Sequence, residues 1–211
     1  MTWPVPKGTV LAGDVVQLSL ANPAADAGEL FQLLDRDEVW QHVPWRPRNA
    51  QHLEQQLRER CSSNKWHPWI LRTRKPLATL PAGAIVGTTS YLDAHPRDAW
   101  LEIGATLYTP AVWGTVVNPE TKLLLFGHAF DTLHAGRVQL KTDTRNHRSQ
   151  QAIARLGGKY EGTLRRHFRR EDGTIRDSVL FSVTVDDWPD VRHRLGQRVR
   201  TFLGTAERDL R

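Results

Sequence analysis

Residues 100–118, WLEIGATLYTPAVWGTVVN, decide the fold. In residues 100–108, apolar side chains occupy every second position, and a period of two predicts a strand. The apolar members of this pattern are Leu101, Ile103, Ala105 and Leu107. The alternation places Glu102 and Thr106 together on the opposite face.

The second half of this stretch predicts a tight turn followed by a helix. Gly114 lies in the turn, Asn118 suits the N-cap of the helix, and Pro119 suits its first turn. Unpaired N–H groups and the helix dipole at such a place favour an anion, and a pyrophosphate is the obvious one. A capped turn without a ligand is the alternative, because a glycine before a helix is common. Neither a P-loop nor a Rossmann fingerprint is present.

The segments on either side of this stretch give a mixed pattern of helices and strands. Before it, we predict a strand over residues 9–20, helices over 23–35 and 49–60, and strands over 66–72 and 84–91. After it, we predict a helix from Asn118 or Pro119 to His134, a strand over 137–144 and a helix over 147–156. A hairpin over 158–169 and 175–185, with its turn at Glu171-Asp172-Gly173, and a basic helical tail over 191–210 complete the chain. Crossover helices occur only in the second half, which excludes a regular doubly wound fold.

Composition narrows the class of protein. The 211 residues carry a formal net charge of +6, which favours an anionic ligand or surface without saying which one. The single cysteine, Cys61, excludes a disulfide framework, and the nine histidines contain no His-Glu-x-x-His, so we expect no metal site. No apolar run approaches the roughly 20 residues of a membrane span, and the first residues do not resemble a signal peptide. We therefore expect a cytoplasmic protein.

A series of short motifs follows the strand and the turn. They are Asn146-His147-Arg148-Ser149, Leu156-Gly157, Glu161-Gly162 and the hairpin residues Asp172-Gly173 and Arg176-Asp177. Over residues 9–188 this combination resembles the GNAT superfamily of acyl-CoA-dependent N-acyltransferases. It is most similar to the Rim-type branch, which includes the N-terminal acetyltransferases of ribosomal proteins.

The resemblance implies an α+β fold in one domain over residues 1–188. The expected architecture is a mixed, mostly antiparallel central sheet, splayed in a V and flanked by helices on both faces. Residues 189–211 form the basic helical tail, in which Leu195, Val199 and Leu203 recur every four residues. Docking of the tail on the domain, docking on a second subunit in a homodimer, and a mobile tail all stay open.

The resemblance also implies acetyl-CoA, or another acyl-CoA, as co-substrate in that V. The turn residues that match the family's phosphate-binding motif are Trp113, Gly114, Thr115, Val116, Val117 and Asn118. Ala111 and Val116 depart from the motif, where an Arg or Gln and a second Gly are usual. A cradle of backbone N–H groups tolerates a side chain at 116, and crowding of the pyrophosphate by Val116 is the alternative. The residues expected along the pantetheine arm and the 3′-phosphate are Leu107, Tyr108, Thr109, Asn146, Arg148 and Ser149.

The catalytic groups follow from the same match. Glu102 corresponds to the general base that deprotonates the amine, and the N–H of Leu107 corresponds to the oxyanion donor. Ile153 stands where the family often has an acidic tyrosine, so Ser149, with solvent, is the candidate acid for the leaving thiolate. Glu102 as a solvated or salt-bridged strand residue is the alternative.

The acceptor is a primary amine, either a peptide N-terminus or a small molecule. His42, Trp45 and Trp100 are the candidate acceptor-binding residues and predict an aromatic-walled pocket, whereas a surface loop with packed tryptophans is the alternative. Neither nucleic acid nor a membrane is favoured as partner, because no recognised module for either is present. A catalytically weak CoA-binding or protein-interaction module is the alternative function, favoured by Ala111, Val116 and Ile153.

Overall fold

An eight-stranded sheet carries all the other elements of the computed structural model, which describes residues 1–43, 45–77, 79–170 and 172–206. Its strands are β1 (Val10–Ala12), β2 (Val16–Leu20), β3 (Trp66–Thr73), β4 (Ile85–His95), β5 (Trp100–Tyr108), β6 (Arg137–Asp143), β7 (Lys159–Arg169) and β8 (Ile175–Thr184). The helices are α1 (Pro23–Leu34), α2 (Asp37–Trp40), α3 (Ala50–Ser62), α4 (Val117–Gly127), α5 (His147–Arg155) and α6 (Trp188–Ala206). The strand order is β1-β2-β3-β4-β5-β6-β8-β7.

The sheet splits between β5 and β6. These two strands are parallel, whereas the other neighbouring strands of the described sheet are antiparallel. Their pairing runs from Trp100–Arg137 to Glu102–Gln139, although β5 continues to Tyr108 and β6 to Asp143. The two strands therefore part after Glu102. The predicted mixed, mostly antiparallel sheet with a V is confirmed.

Each face of the sheet carries its own core. Helices α1, α2 and α3 cover one face, around Leu30, Leu53 and Ile70. Helices α4, α5 and α6 cover the other, where Phe126 and Val191 are buried. Helices on both faces are also as predicted.

A bulge at Ala105 in β5 changes which residues share a face. Ala105 has φ 48°, and β5 holds one more residue than β4 between two register pairs. These pairs are Thr88–Leu107 and Ser90–Gly104. An extra residue reverses the alternation beyond it. Thr106 therefore lies on the α4 face, where its hydroxyl meets Lys122, and the prediction that it shares a face with Glu102 is wrong.

The strand predicted over residues 9–20 is a hairpin of two strands, β1 and β2. The Glu120 carboxylate of α4 accepts hydrogen bonds from the N–H groups of Asp14, Val15 and Val16, at 2.7, 2.9 and 2.7 Å. Glu120 is buried, and a Cβ atom on Gly13 would lie 2.5 Å from its Cδ. The Glu120 carboxylate, about a hundred residues away in sequence, therefore stabilises the turn between β1 and β2.

The N-terminus of α4 also differs from the prediction. The helix begins at Val117, and Val116 occupies the cap position without a side-chain hydrogen bond. Asn118 is therefore not the N-cap; its Oδ1 accepts a hydrogen bond from the Tyr108 hydroxyl at 3.1 Å. At the other end, the helix widens into a π-helical turn, His128–Thr132. The short helix α2 was not predicted.

The predicted tail begins as helix α6, which packs on the α4 core. Val191, Leu195 and Val199 are buried there, and the Trp188 Nε1 donates to Asp131 at 2.8 Å. The last five residues of the predicted tail, 207–211, and Glu171 of the predicted turn lie outside the described residues.

Candidate active site

The turn between β5 and α4 presents backbone N–H groups to an open space. Gly114 has φ 75°, and a Cβ atom there would meet no other atom within 4 Å. In the described part of the chain, the N–H groups of Gly114, Val116 and Asn118 donate to no protein acceptor. Free amides at a helix N-terminus attract an anion. The turn therefore has the geometry of a phosphate site.

The side chain of Val116 does not fill this turn. It is 7% exposed and packs in the α4 core. Because this side chain packs in the core, the geometry favours an open cradle of backbone N–H groups over crowding of a pyrophosphate by Val116. Ala111 is exposed and brings no polar side chain to the turn.

The first turn of α5 faces the same opening from the other arm of the V. The Arg148 guanidinium lies 3.9 Å from the centroid of the Trp113 ring, and Trp113 Nε1 donates to the carbonyl of Tyr108 at 3.1 Å. Asn146 caps α5, since its Oδ1 accepts the N–H of Ser149 at 3.0 Å. The Ser149 hydroxyl bonds to no other group in the described residues. The fold thus brings these predicted residues together at the mouth of the V.

The directions of the β5 amides revise the predicted oxyanion donor. The N–H of Thr109 donates to Val86 of β4 at 3.0 Å. Successive N–H groups of an extended strand point to opposite sides, so the N–H of Leu107 also points to β4. Those of Tyr108 and Thr106 point away from β4, into the V. Leu107 is therefore not the donor that the geometry favours.

Glu102 lies at the point where β5 and β6 part. It is 5% exposed, and its Oε2 accepts from Lys141 Nζ at 2.8 Å and Gln139 Nε2 at 3.3 Å. Burial raises the pKa of Glu102 above 4.5, although Lys141 acts in the opposite direction. Both partners bind Oε2, which leaves Oε1 available. A Cβ atom on Gly104 would lie 2.7 Å from Leu92 Cδ1 and 2.8 Å from Oε1, so only a glycine leaves room for both side chains as they stand.

His42 lies near the charged residues at the mouth of the V. Burial lowers the pKa of His42, and the positive charge of Arg148 acts in the same direction. The negative charge of Asp143 opposes them and raises the pKa. These charges identify its surroundings as the end of β6 and the start of α5. The net effect lowers the pKa of His42 and favours the neutral imidazole.

The predicted acceptor tryptophans occupy two places. The ring centroids of Trp45 and Trp66 are 6.3 Å apart, in an edge-to-face contact. Trp100 stacks on His95 at 4.1 Å, at the closed end of the V. Trp100 shares a face with Glu102, two residues on, but it does not join the Trp45 cluster.

Comparison with known proteins identifies the family. The family described as acetyltransferase (GNAT) domain matches residues 17–159, more than half of the chain. The chain belongs to the GNAT acetyltransferase family. No curated protein matches the sequence.

Solved structures share this GNAT fold. A T. thermophilus protein assigned to the acetyltransferases is 33% identical, with a TM-score of 0.80 over 93% of this chain and 99% of that chain. A GCN5-related N-acetyltransferase from Brucella melitensis is 22% identical, with a TM-score of 0.83 over 93% and 87%. Mycobacterium smegmatis RimJ, in complex with CoA-disulfide, is 20% identical, with a TM-score of 0.72 over 90% and 91%.

GNAT acetyltransferases use acetyl-CoA, and the residues of this chain fit it. The open space above Gly114 and the three free amides suit a pyrophosphate. The exposed Arg148 adds a cation beside them, as a phosphorylated nucleotide requires. The outward N–H groups of Thr106 and Tyr108 suit the pantetheine arm.

Sequence reasoning missed Lys141 and the pair of Asp143 with Arg170. Arg170 donates to the buried Asp143 carboxylate through Nη2 at 2.7 Å and Nε at 3.0 Å. Burial raises the pKa of Asp143. The hydrogen bonds from the N–H of Arg145 and from the Arg170 guanidinium lower it by more than burial raises it, so the pKa is lowered overall. The pair fixes the end of β6 beneath α5. For Lys141, the alternation of β6 was a usable signal, because it places residues 139 and 141 on one face.

Neither a metal cluster nor a membrane-spanning helix occurs among the described residues. No group of three or more His, Cys, Asp or Glu side chains there could hold a metal ion. No helix there is long and apolar enough to cross a membrane.

Proposed function

We propose that this acetyltransferase moves the acetyl group of acetyl-CoA to a primary amine by direct attack in a ternary complex. The observation that carries the proposal is the buried Glu102 at the fork of the V, with one free carboxylate oxygen. The turn at residues 113–118, which we call the phosphate turn, binds the pyrophosphate of acetyl-CoA. The N–H groups of Thr106 and Tyr108 bind its pantetheine arm. The amine approaches from the face that carries Glu102.

Glu102 removes the proton that the amine must lose. An α-amino group has an ordinary pKa near 7.7–8.0, so deprotonation near neutral pH is a modest task. A carboxylate whose pKa is raised by burial is a better proton acceptor than an exposed one. Oε1 takes the proton directly or through one water, while Lys141 and Gln139 hold Oε2 in place.

The neutral nitrogen then attacks the thioester carbonyl. A nitrogen–carbon bond forms, and the N–H of Thr106 or Tyr108 stabilises the oxyanion. The carbon–sulfur bond breaks, and the proton that the attacking nitrogen must still lose passes to the departing thiolate through the Ser149 hydroxyl or a water, so that the amide and the free thiol leave neutral. Ile153, which replaces the family's tyrosine, is buried and supplies no proton.

Two measurements test this proposal. Calorimetric titration with acetyl-CoA should show binding, and release of free thiol in the presence of a panel of peptides and small amines should show turnover. Binding without turnover for every amine supports the alternative, a CoA-binding module. Absence of binding at hundreds of micromolar acetyl-CoA contradicts both. Mass spectrometry of the products identifies the acetylated nitrogen.

A further inference from the structure

A groove on the Glu102 face of the sheet holds a half-buried cation between two tryptophans. Its volume is about 420 Å³, and it is lined by Trp45, Gln56, Glu59, Arg60, Ser63 and Trp66. The guanidinium carbon of Arg60 lies 4.6 Å from the centroid of the Trp66 ring and 5.7 Å from that of Trp45. A guanidinium stacked in this way keeps its N–H edge free for a planar anion.

Arg60 has no carboxylate partner in the described residues. Its neighbour on the helix, Arg58, pairs with Glu54, whereas no ion pair includes Arg60. Burial lowers the pKa of Arg60, and the charge of Glu59 raises it. Glu59 instead accepts a hydrogen bond from Gln55 at 3.1 Å. A charged group that has lost part of its hydration without gaining a partner gains more from an anionic ligand than an exposed arginine does.

Strand register connects the groove to Glu102. Trp66 of β3 lies opposite Leu92 of β4, and Leu92 lies opposite Glu102 of β5, so all three share one face. Trp66 Nε1 donates to Ser90 Oγ at 2.9 Å, which fixes the indole on that face. Two strand spacings separate Trp66 from Glu102, or about 10 Å between their Cα atoms.

We propose that the acceptor is a peptide N-terminus with a carboxylate side chain a few residues along, and that Arg60 binds this carboxylate while Glu102 receives the amine. The inference rests on the proposed function. An extended peptide advances about 3.4 Å per residue. The spacing of about 10 Å between the Cα atoms of Trp66, on which Arg60 stacks, and Glu102 therefore matches an acidic residue at about the third or fourth position. The indoles of Trp45 and Trp66 flank the carboxylate, and Leu92 lies under the intervening backbone.

Matched peptides test this assignment through thiol release. The peptides are amidated at the C-terminus and differ in one residue, Asp or Asn, at position two, three or four. A hydrogen bond to a charged group predicts a KM about tenfold lower for the Asp peptide at position three or four, with less preference at position two. A free tripeptide acid distinguishes a side-chain carboxylate from a terminal one.

Variants of the groove identify the group responsible. Arg60→Gln should remove the difference in KM between the Asp and Asn peptides, and Arg60→Lys should keep part of it. Arg58→Gln, on the same helix but outside the groove lining, should keep the preference, because Arg58 pairs with Glu54. Acetyl-CoA titration of each variant confirms that it is folded.

Each outcome decides one claim. Equal KM values for Asp and Asn peptides in the wild type, or a preference that survives Arg60→Gln, overturn the role of Arg60 while acetyl transfer stands. Acylation of small amines but of no peptide overturns the substrate class. Failure of the wild type to acylate any amine contradicts the proposed function itself.

Discussion

Replacement of Lys122 by methionine should change the pH dependence of stability. Lys122 of α4 is 3% exposed, and its Nζ donates to Thr106 Oγ1 at 2.8 Å and Thr89 Oγ1 at 3.5 Å. No carboxylate pairs with it in the described residues. Burial lowers its pKa from 10.5 to about 7.

The sign follows from proton linkage. Between about pH 7 and 10.5 the unfolded chain holds the lysine proton and the folded chain has lost it, so the free energy of unfolding rises with pH. The slope is about 1.4 kcal/mol per pH unit, which gives on the order of 4 kcal/mol over this window. Lys122→Met removes this contribution. The variant should therefore be the more stable protein at and below pH 7, and the difference should shrink as pH rises.

Urea denaturation of the wild type and of Lys122→Met across this pH range measures the difference between their free energies of unfolding. The contributions of titratable groups that both proteins share cancel in this difference. Lys65→Met is the control for the loss of a lysine, because Lys65 is exposed. A difference between wild type and Lys122→Met that stays constant from about pH 7 to pH 10 refutes the reasoning.

Three further changes test the site and the fold. Gly104→Ala should lower turnover while acetyl-CoA affinity is retained, because its Cβ atom would lie 2.7 Å from Leu92 Cδ1 and 2.8 Å from Glu102 Oε1 and would displace the carboxylate. Calorimetry and thiol release measure the two effects, and unchanged turnover contradicts the role of Oε1. Gly114→Ala should weaken acetyl-CoA binding in calorimetry and lower the free energy of unfolding by about 1 kcal/mol, since φ is 75°; full affinity contradicts the phosphate turn. Glu120→Ala should destabilise the protein in urea by about 3 kcal/mol or more, because three N–H groups lose their acceptor; a loss below about 1 kcal/mol contradicts its role in the β1–β2 turn.

Features that depend on neighbours in sequence were predictable. The alternation in residues 100–108 located β5, and Gly114 before a helical pattern located the phosphate turn. Glu102 was identified as the candidate base from its position in that strand. These signals are local, because strand period and helix starts are set by a few adjacent residues.

Features that depend on contacts across the fold were not predictable. The bulge at Ala105 arises from the register of β5 against β4, and it moved Thr106 to the other face and Leu107 out of the oxyanion role. The ion pair of Lys141 with Glu102 requires the parallel pairing of β5 with β6. Arg60 meets Trp66 because α3 packs beside β3, which no local pattern specifies.

Glu102→Gln tests the central claim most directly. Thiol release with an accepted amine should fall at least about a hundredfold in kcat, the usual contribution of a general base, with acetyl-CoA affinity retained in calorimetry. In the wild type, kcat/KM should decrease as pH falls through the raised pKa of Glu102, and the variant should lose this decrease. A variant with the wild-type kcat and the wild-type pH profile contradicts the assignment of Glu102 as the base.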